Sequence, residues 1–201
     1  MCSKILIHDN VICYLTKNKF QKNLLEVSFE VFNSVNEFSF KEWNKIAGTK
    51  FFLQHSYLKA LEKSKPVGIS FRYAVVYENK IPVAICYFQI ADLTSKELGS
   101  LVNLENFGSV FSAVANKINQ SLFSGSKYAS NNLIVCGSLF VSGENGIAIA
   151  NEKFFPVVID LLPELLEKIS EQINKIRGRV VCCSIKDFYD ESDKYTKELS
   201  K

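Results

Sequence analysis

Arginine is scarce in this chain, which has only three among its 24 basic residues: Arg72, Arg177 and Arg179. The planar guanidinium group clamps phosphate or carboxylate through two parallel hydrogen bonds, so such clamps have few places to form here. The excess of basic over acidic residues is also small, because 24 against 21 leaves a net charge of +3. A charge of this size predicts no attraction to nucleic acid or to an anionic membrane surface by field alone.

Cysteine pairs with CxxC spacing are also missing, although the chain has six cysteines. Neither His8 nor His55 stands at metal-ligand spacing from a cysteine, so the sequence predicts no metal site. Five of the six lie in apolar, strand-like runs, as Cys136 does, which is typical of buried free thiols. The adjacent Cys182 and Cys183 would point to opposite faces of a strand. Unpaired cysteines favour a reducing cytoplasm.

Long hydrophobic runs are absent as well. The first apolar stretch, residues 5–7, ends at His8 and is too short for the core of a signal peptide. Every later apolar stretch is interrupted before the roughly 18 residues that a membrane span needs. We therefore expect a soluble, cytoplasmic protein. With 201 residues, 47% of them hydrophobic, the chain can bury a sizeable core.

Alternating and short apolar segments predict the strands. They are expected as a small hairpin at residues 5–7 and 11–15, a strand at 24–32, a second hairpin at 71–77 and 81–90, and strands at 133–141 and 179–185. The segment 133–141 is apolar almost throughout, which favours a strand at the centre of a sheet because both of its faces would be covered.

A capping box predicts the first helix. Ser39 would accept a hydrogen bond at the helix start while Glu42 stands three residues later. The helix is expected over about residues 40–47, and Phe40 and Trp43 would lie on its buried face. Gly48 would end it.

Three further helices follow from apolar residues at helical spacing: one capped by Ser56, one over residues 110–122, and one from about Asp160 to Ile176. Pro163 would then fall in the first turn of the last helix, where proline is tolerated. This helix stands between the strands at 133–141 and 179–185. Such a βαβ unit requires at least one parallel strand pair, and the whole pattern predicts an α+β fold.

Four stretches carry a family resemblance: Phe51-Phe-Leu-Gln-His-Ser-Tyr-Leu-Lys-Ala-Leu-Glu62, Arg72-Tyr-Ala-Val-Val-Tyr77, Val135-Cys-Gly-Ser-Leu-Phe-Val-Ser-Gly-Glu144 and Cys183-Ser-Ile-Lys-Asp187. With the order of elements, they resemble the acyl-CoA N-acyltransferase (GNAT) superfamily, in particular an uncharacterised bacterial branch related to FemAB-like peptidoglycan-biosynthesis proteins. The resemblance covers about residues 37–190. It implies a GNAT-like mixed, twisted sheet flanked by helices in a domain of residues 1–190, to which residues 1–35 are peripheral. Residues 191–201 would be a polar tail or linker.

The resemblance implies that acyl-CoA or acetyl-CoA binds at the loop after the strand at 133–141. In the family this strand splays from its neighbour, here near residues 180–185, and backbone N–H groups of the loop hold the pyrophosphate. The residues in that position are Val141, Ser142, Gly143, Asn145 and Gly146. The family pattern is Gln/Arg-x-x-Gly-x-Gly/Ala; residues 143–148 keep the last glycine and the alanine, but have glycine at the basic position. From the residues alone, these glycines also fit an ordinary β-turn.

Catalysis would need a base for the amine and an acid for the departing thiolate. Glu144 is the carboxylate nearest the expected cleft, and Tyr128 or Tyr189 could supply a phenol. The same residues also fit a surface carboxylate and half-buried rings. If the loop binds CoA, we expect Gly146→Val to abolish binding with little change in melting temperature, on the premise that a side chain there does not touch the core.

Two functional hypotheses follow. The first is an acyl-CoA-dependent N-acyltransferase acting on a small-molecule amine. The alternative is a non-catalytic GNAT-like module that pairs with a second acyltransferase-like half or a partner, because members of the branch are longer and the chain resembles their N-terminal half. Self-association is expected if the phenylalanines at element boundaries converge on one surface; these are Phe51, Phe52, Phe107, Phe111, Phe123, Phe154 and Phe155. Otherwise they pack at the starts of helices against the chain's own core.

Overall fold

A computed structural model describes residues 6–8, 11–14, 27–93, 131–141, 143–176 and 178–185. The strands are β1 (Leu6–His8), β2 (Val11–Tyr14), β3 (Val27–Phe32), β4 (Ile69–Glu78), β5 (Ile81–Asp92), β6 (Asn131–Cys136), β7 (Ile147–Ile149) and β8 (Arg179–Ile185). The α-helices in these ranges are α1 (Phe40–Ala47), α2 (His55–Ser64) and α3 (Phe155–Ile176), and short 3-10 turns lie at Val35–Glu37, Phe51–Leu53 and Glu152–Phe154. The helix expected over residues 110–122 lies outside the described residues.

All of these strands belong to one mixed sheet, in the order β1-β2-β8-β6-β5-β4-β3, with β7 paired to β5 beside this path. Only β6 and β8 pair in parallel within the described chain, from Asn131 opposite Arg179 to Cys136 opposite Ile185. Because α3 connects them, the expected βαβ unit is confirmed, as is the central position of β6. The fold is therefore α+β with a mixed sheet.

Both expected hairpins are confirmed. The β1 and β2 strands pair antiparallel, as do β4 and β5. The turn between β4 and β5 consists of Asn79 and Lys80, whose φ angles are +50° and +65°. Two consecutive residues with positive φ are the signature of the tight turn whose twist matches that of the flanking strands.

The helices cover both faces of the sheet. On one face, α3 packs Leu162, Leu165 and Ile169 onto buried residues of β4, β5, β6 and β8. On the other face, α1 and α2 bury Trp43 and Leu58 against β4 and β5. None of the described helices combines the length and the apolar character that a membrane span would need.

The capping prediction for α1 is confirmed, because the Ser39 hydroxyl accepts a hydrogen bond from the Glu42 N–H at 3.5 Å. The expected burial of Phe40 is wrong, since its side chain is 53% exposed. Phe38, just outside the helix, stacks on Trp43 instead, with ring centroids 4.4 Å apart. The Trp43 indole N–H donates to the Leu53 carbonyl at 2.6 Å, which ties α1 to the segment before α2.

Three element boundaries differ from the predictions. The strand expected to reach residue 141 ends at Cys136, because Gly137 turns the chain with a φ of +126°. Helix α3 starts at Phe155 rather than at residue 160, so Pro163 lies inside the helix and not in its first turn. The N-cap of α2 is Gln54, and Ser56 lies within the helix rather than capping it.

Candidate functional site

The loop between β6 and β7, residues 137–146, interrupts the line of hydrogen bonds along one side of β5. Strand β6 pairs with residues 88–92 of β5, and β7 pairs with residues 84–86. Both run antiparallel to β5, so the chain leaves the sheet after Cys136 and returns to the same line at Ile147. We call this excursion the β6–β7 loop. It contains every described residue of the expected acyl-CoA site.

Gln89 anchors the first half of the β6–β7 loop. Its side chain is fully buried on β5, and its Oε1 accepts a hydrogen bond from the Leu139 N–H at 2.7 Å. Its Nε2 donates to the Tyr87 hydroxyl at 2.6 Å and to Ser138 Oγ at 3.5 Å. Burial raises the pKa of Tyr87 far above its ordinary value, so this phenol stays neutral. The path of the chain after β6 is therefore set by a buried polar group of β5.

The segment before α2 anchors the second half of the loop. The two carboxylate oxygens of Glu144 accept hydrogen bonds from the N–H groups of Phe51, at 3.0 Å, and Phe52, at 2.9 Å. The Lys50 ammonium donates to Asn145 Oδ1 at 3.1 Å and to the Ile147 carbonyl at 2.7 Å. Residues about 95 positions apart in sequence are thus joined by four hydrogen bonds.

Burial lowers the pKa of Lys50, an effect that the charge of Glu144 and the nearby Cys136 partly oppose. Burial also raises the pKa of Cys136 well above its ordinary value, and Cys86 beside it adds to the shift. The Cys136 thiol is therefore protonated near neutral pH and unsuited to act as a nucleophile. As expected, it is a buried free thiol, and so are Cys86, Cys182 and Cys183.

The two glycines of the loop have different surroundings. Gly143 is exposed, has a φ of +118°, and a Cβ placed on it would meet nothing within 4 Å. A Cβ on Gly146 would stand 2.6 Å from the Tyr87 carbonyl oxygen and 2.8 Å from the Cys136 carbonyl carbon. The premise that a side chain at residue 146 would not touch the core is therefore wrong, because Gly146 is packed against the backbone of the sheet.

The structure brings Val141, Gly143, Glu144, Asn145 and Gly146 together in this one loop, as expected. Ser142, Tyr128 and Tyr189 lie outside the described residues. Residues 133–141 were expected to splay from residues 180–185. Up to Cys136 they do not, since β6 and β8 remain paired to that residue. A gap between these strands can open only beyond it.

Three consecutive backbone N–H groups of the loop have no acceptor in the described part of the chain. The N–H groups of Gly143, Glu144 and Asn145 donate to no acceptor among the described residues. By contrast, the N–H groups of Leu139 and Ile147 are held by the side chains of Gln89 and Asn145. Successive backbone N–H groups in a turn can converge on an anion.

Sequence reasoning missed Lys50 and Gln89. Lys50 directly precedes the first of the four stretches of the resemblance, and Gln89 lies in a strand that was assigned only to the sheet. The sequence did point to the two segments that meet here, because the first and third stretches, 51–62 and 135–144, both carry the resemblance. The structure shows that they meet through Glu144 and Phe51.

A second feature is a cleft of about 210 Å³ between α1 and the β3–β4–β5 side of the sheet. Among the described residues, its lining includes three carboxylates, Glu30, Glu37 and Glu42, and no basic side chain; aromatic walls come from Phe32, Phe38, Trp43 and Tyr77. The Tyr77 hydroxyl donates to Glu30 at 3.1 Å. Burial, followed by this bond and the charge of Glu30, raises the pKa of Tyr77 to about 12. The cleft therefore presents negative charge and aromatic surface together.

Comparison with known proteins finds no match for this chain among protein-family models, curated proteins or solved structures. The resemblance to the GNAT superfamily therefore depends on the four sequence stretches and on the order of elements. The α+β architecture, a mixed sheet with a parallel β6–β8 pair connected by α3, is compatible with that resemblance. In the described part of the chain, no group of three His, Cys, Asp or Glu side chains could hold a metal ion.

Proposed function

We propose that the chain is an acyl-CoA-dependent N-acyltransferase whose acyl-CoA site is the β6–β7 loop. One observation carries this proposal: the loop is anchored on both sides, by Gln89 and by the segment 50–52, while the N–H groups of residues 143–145 donate to no acceptor in the described part of the chain. A loop that is already fixed in place loses little conformational entropy when a ligand binds. Amides that lack a described acceptor on such a loop suit the pyrophosphate of CoA.

The position of the loop supports the same proposal. It leaves the sheet at the carboxyl end of β6, and its parallel neighbour β8 ends at the same level, with Cys136 opposite Ile185. Ligands of α/β units bind beyond the carboxyl ends of parallel strands. Helix α3 begins only at Phe155, so the donors would be loop amides and not the helix N-terminus.

The acidic cleft supports an amine as the acceptor. An ammonium group is attracted by carboxylates and by the faces of aromatic rings, and the cleft beside Tyr77 offers both, with no cation among its described lining residues. In the reaction, the ammonium gives one proton to a base, the neutral nitrogen attacks the thioester carbonyl carbon, and the C–S bond breaks; the CoA thiolate takes up the second proton that the nitrogen then loses. Glu144, which belongs to the β6–β7 loop and not to the lining of the cleft, is our candidate base, since each of its oxygens retains a second lone pair.

Calorimetry with acetyl-CoA tests the proposal. We expect binding by the 201-residue chain, and binding at least about tenfold weaker for S-acetylpantetheine, which has the thioester but no pyrophosphate. Release of free thiol in the presence of small polyamines would then show turnover. If acetyl-CoA produces no heat, or if the two thioesters bind equally, the loop is not a pyrophosphate site.

One observation favours a second candidate, the non-catalytic module. Both oxygens of Glu144 are engaged by the N–H groups of Phe51 and Phe52, so the proposed base also serves to hold the loop. For this candidate we expect neither acetyl-CoA binding nor thiol release, together with assembly into a larger complex. Light scattering up to roughly 100 μM tests self-association, and a monomer throughout would exclude that form of it.

The positions of the boundary phenylalanines do not support self-association of the non-catalytic module. Phe155 is buried and Phe154 is packed with it in the core beneath α3. Phe51 and Phe52 contact Tyr57 at the other face, and Phe51 is 61% exposed. These four rings do not share a surface. The other three, Phe107, Phe111 and Phe123, lie outside the described residues.

A further inference from the structure

The β6–β7 loop has no basic residue of its own, because Gly143 occupies the position where related loops have arginine or glutamine. The structure places a cation from elsewhere in the chain against the second half of the loop, at Asn145 and Ile147. Lys50 reaches the loop from the segment between α1 and α2, and its ammonium lies 3.1 Å from Asn145 Oδ1 and 2.7 Å from the Ile147 carbonyl oxygen. These acceptors belong to Asn145, the last of the three residues whose N–H groups have no described acceptor, and to Ile147, two residues later.

We propose that Lys50 supplies the positive charge that binds the phosphate groups of the ligand at the β6–β7 loop. The proposal rests on the proposed function in one respect, namely that the phosphate-bearing ligand is acyl-CoA. It goes beyond that function by assigning the charge to a residue about 95 positions away from the loop. A sequence search confined to the loop would not find it.

The hydrogen-bond capacity of Lys50 fits this role. An ammonium group has three donors, and two of them are used by Asn145 and Ile147. The third donates to no acceptor among the residues that the structure describes. A partly buried ammonium with a remaining donor interacts strongly with an anion, because the surroundings screen the charge less than water does.

Glu144 provides an internal comparison of opposite charge. Its carboxylate lies close enough to oppose the effect of burial on Lys50, and it holds the same segment through Phe51 and Phe52. A phosphate at the loop would be attracted by Lys50 and repelled by Glu144. Removal of either charge also removes hydrogen bonds that anchor the loop. A purely structural role predicts the same direction for both variants, whereas a role in binding charge predicts opposite directions.

The experiment measures dissociation constants of inorganic pyrophosphate and of acetyl-CoA for the wild-type chain, Lys50→Met, Lys50→Arg and Glu144→Gln. We expect Lys50→Met to weaken both ligands about tenfold, and Lys50→Arg to stay within about threefold of wild type. Glu144→Gln should bind both ligands about threefold more tightly. Lys59→Met, which removes an exposed lysine of α2, is the matched control and should change neither constant. Thermal melts of all variants verify that they fold.

The outcomes separate this proposal from the proposed function. Pyrophosphate binding that depends on Lys50, without acetyl-CoA binding, would support the lysine and refute the acyltransferase. Acetyl-CoA binding that is unchanged in Lys50→Met would refute the role of the lysine and leave the proposed function supported. If Lys50→Met and Glu144→Gln both weaken binding, Lys50 only anchors the loop, and the proposal is wrong. Failure of the wild-type chain to bind either ligand would overturn both. If Lys50→Met does not fold, two other measurements test the charge of Lys50. The affinity should fall with rising salt as steeply in Lys50→Arg as in wild type, and Glu144→Gln should bind more tightly.

Discussion

Gly146 and Tyr87 face each other backbone to backbone where β7 joins β5. The Tyr87 N–H donates to the Gly146 carbonyl at 2.8 Å, and the Tyr87 carbonyl accepts the Gly137 N–H at 3.1 Å. Tyr87 thereby binds both ends of the β6–β7 loop. The approach is close enough that a Cβ at residue 146 would stand 2.6 Å from the Tyr87 oxygen, so only glycine fits without a shift of the sheet.

Gly146→Ala should therefore destabilise the fold by about 2 kcal/mol or more, because backbone atoms of β5 and β6 would have to move. Gly143→Ala is the matched control. It has free space but a φ of +118°, so backbone strain alone should cost about 1 kcal/mol. Urea unfolding of the two variants measures the difference. Equal losses at both positions would contradict the close packing of Gly146.

Glu62 is expected to be a strong contributor to stability, because its carboxylate accepts three hydrogen bonds. They come from the Ser34 hydroxyl at 2.6 Å, the Val35 N–H at 2.9 Å and the Tyr73 hydroxyl at 3.1 Å. Glu62→Gln should lose about 2 kcal/mol of unfolding free energy, since an amide has only one accepting atom. Glu164→Gln, on the exposed side of α3, should change it by less than about 0.5 kcal/mol. Similar losses in chemical denaturation would rule out this role.

Tyr77 predicts a dependence of stability on alkaline pH. Burial, with the Glu30 bond and charge, raises its pKa from 10 to about 12 in the folded chain. The unfolded chain therefore releases this proton first, and the stabilising contribution, complete below pH 10, is lost as the pH rises toward 12. The difference in tyrosinate absorbance between wild type and Tyr77→Phe should show one step near pH 12. A step near 10 would show that Tyr77 is neither buried nor bonded to Glu30.

The β4–β5 turn offers a stabilising substitution. Lys80 has a φ of +65°, which costs a side chain about 1 kcal/mol that glycine avoids. Lys80→Gly would create the Asn-Gly pair preferred in such turns, and we expect the free energy of unfolding to rise by about 0.5 kcal/mol. Lys63→Gly, inside α2, should instead lower it by about 1 kcal/mol. Thermal melts compare them, and a lower melting temperature for Lys80→Gly would contradict the turn geometry.

Local signals in the sequence account for much of the fold. Ser39 and Glu42 indicate where α1 begins, and Asn79 and Lys80 separate two strongly apolar strands. In each case the determining atoms lie within a few residues of one another. The end of β6 is different, because the apolar run continues to residue 141 and composition alone does not show that Gly137 turns away.

The site could be predicted only in part for the same reason. The loop was found because its glycines and Glu144 are consecutive. The side chains that anchor the loop were not found. Gln89 and Lys50 bond to residues about 50 and 95 positions away in sequence, and neither has a distinctive neighbour. The start of α3 was misplaced because the turn at residues 152–154, capped by the Asn151 side chain, leads into the helix before its regular apolar spacing begins.

The interrupted pairing along β5 also determines where the chain tolerates changes of length. Residues 136 and 147 pair with Phe88 and Cys86, two positions apart on one strand, so the loop ends are held about 7 Å from each other by the sheet itself. Closing a longer loop across a fixed short span adds little entropic cost. Insertions near Gly143 should leave β6 and β7 in register with β5, which makes this position suitable for inserting a peptide or a reporter.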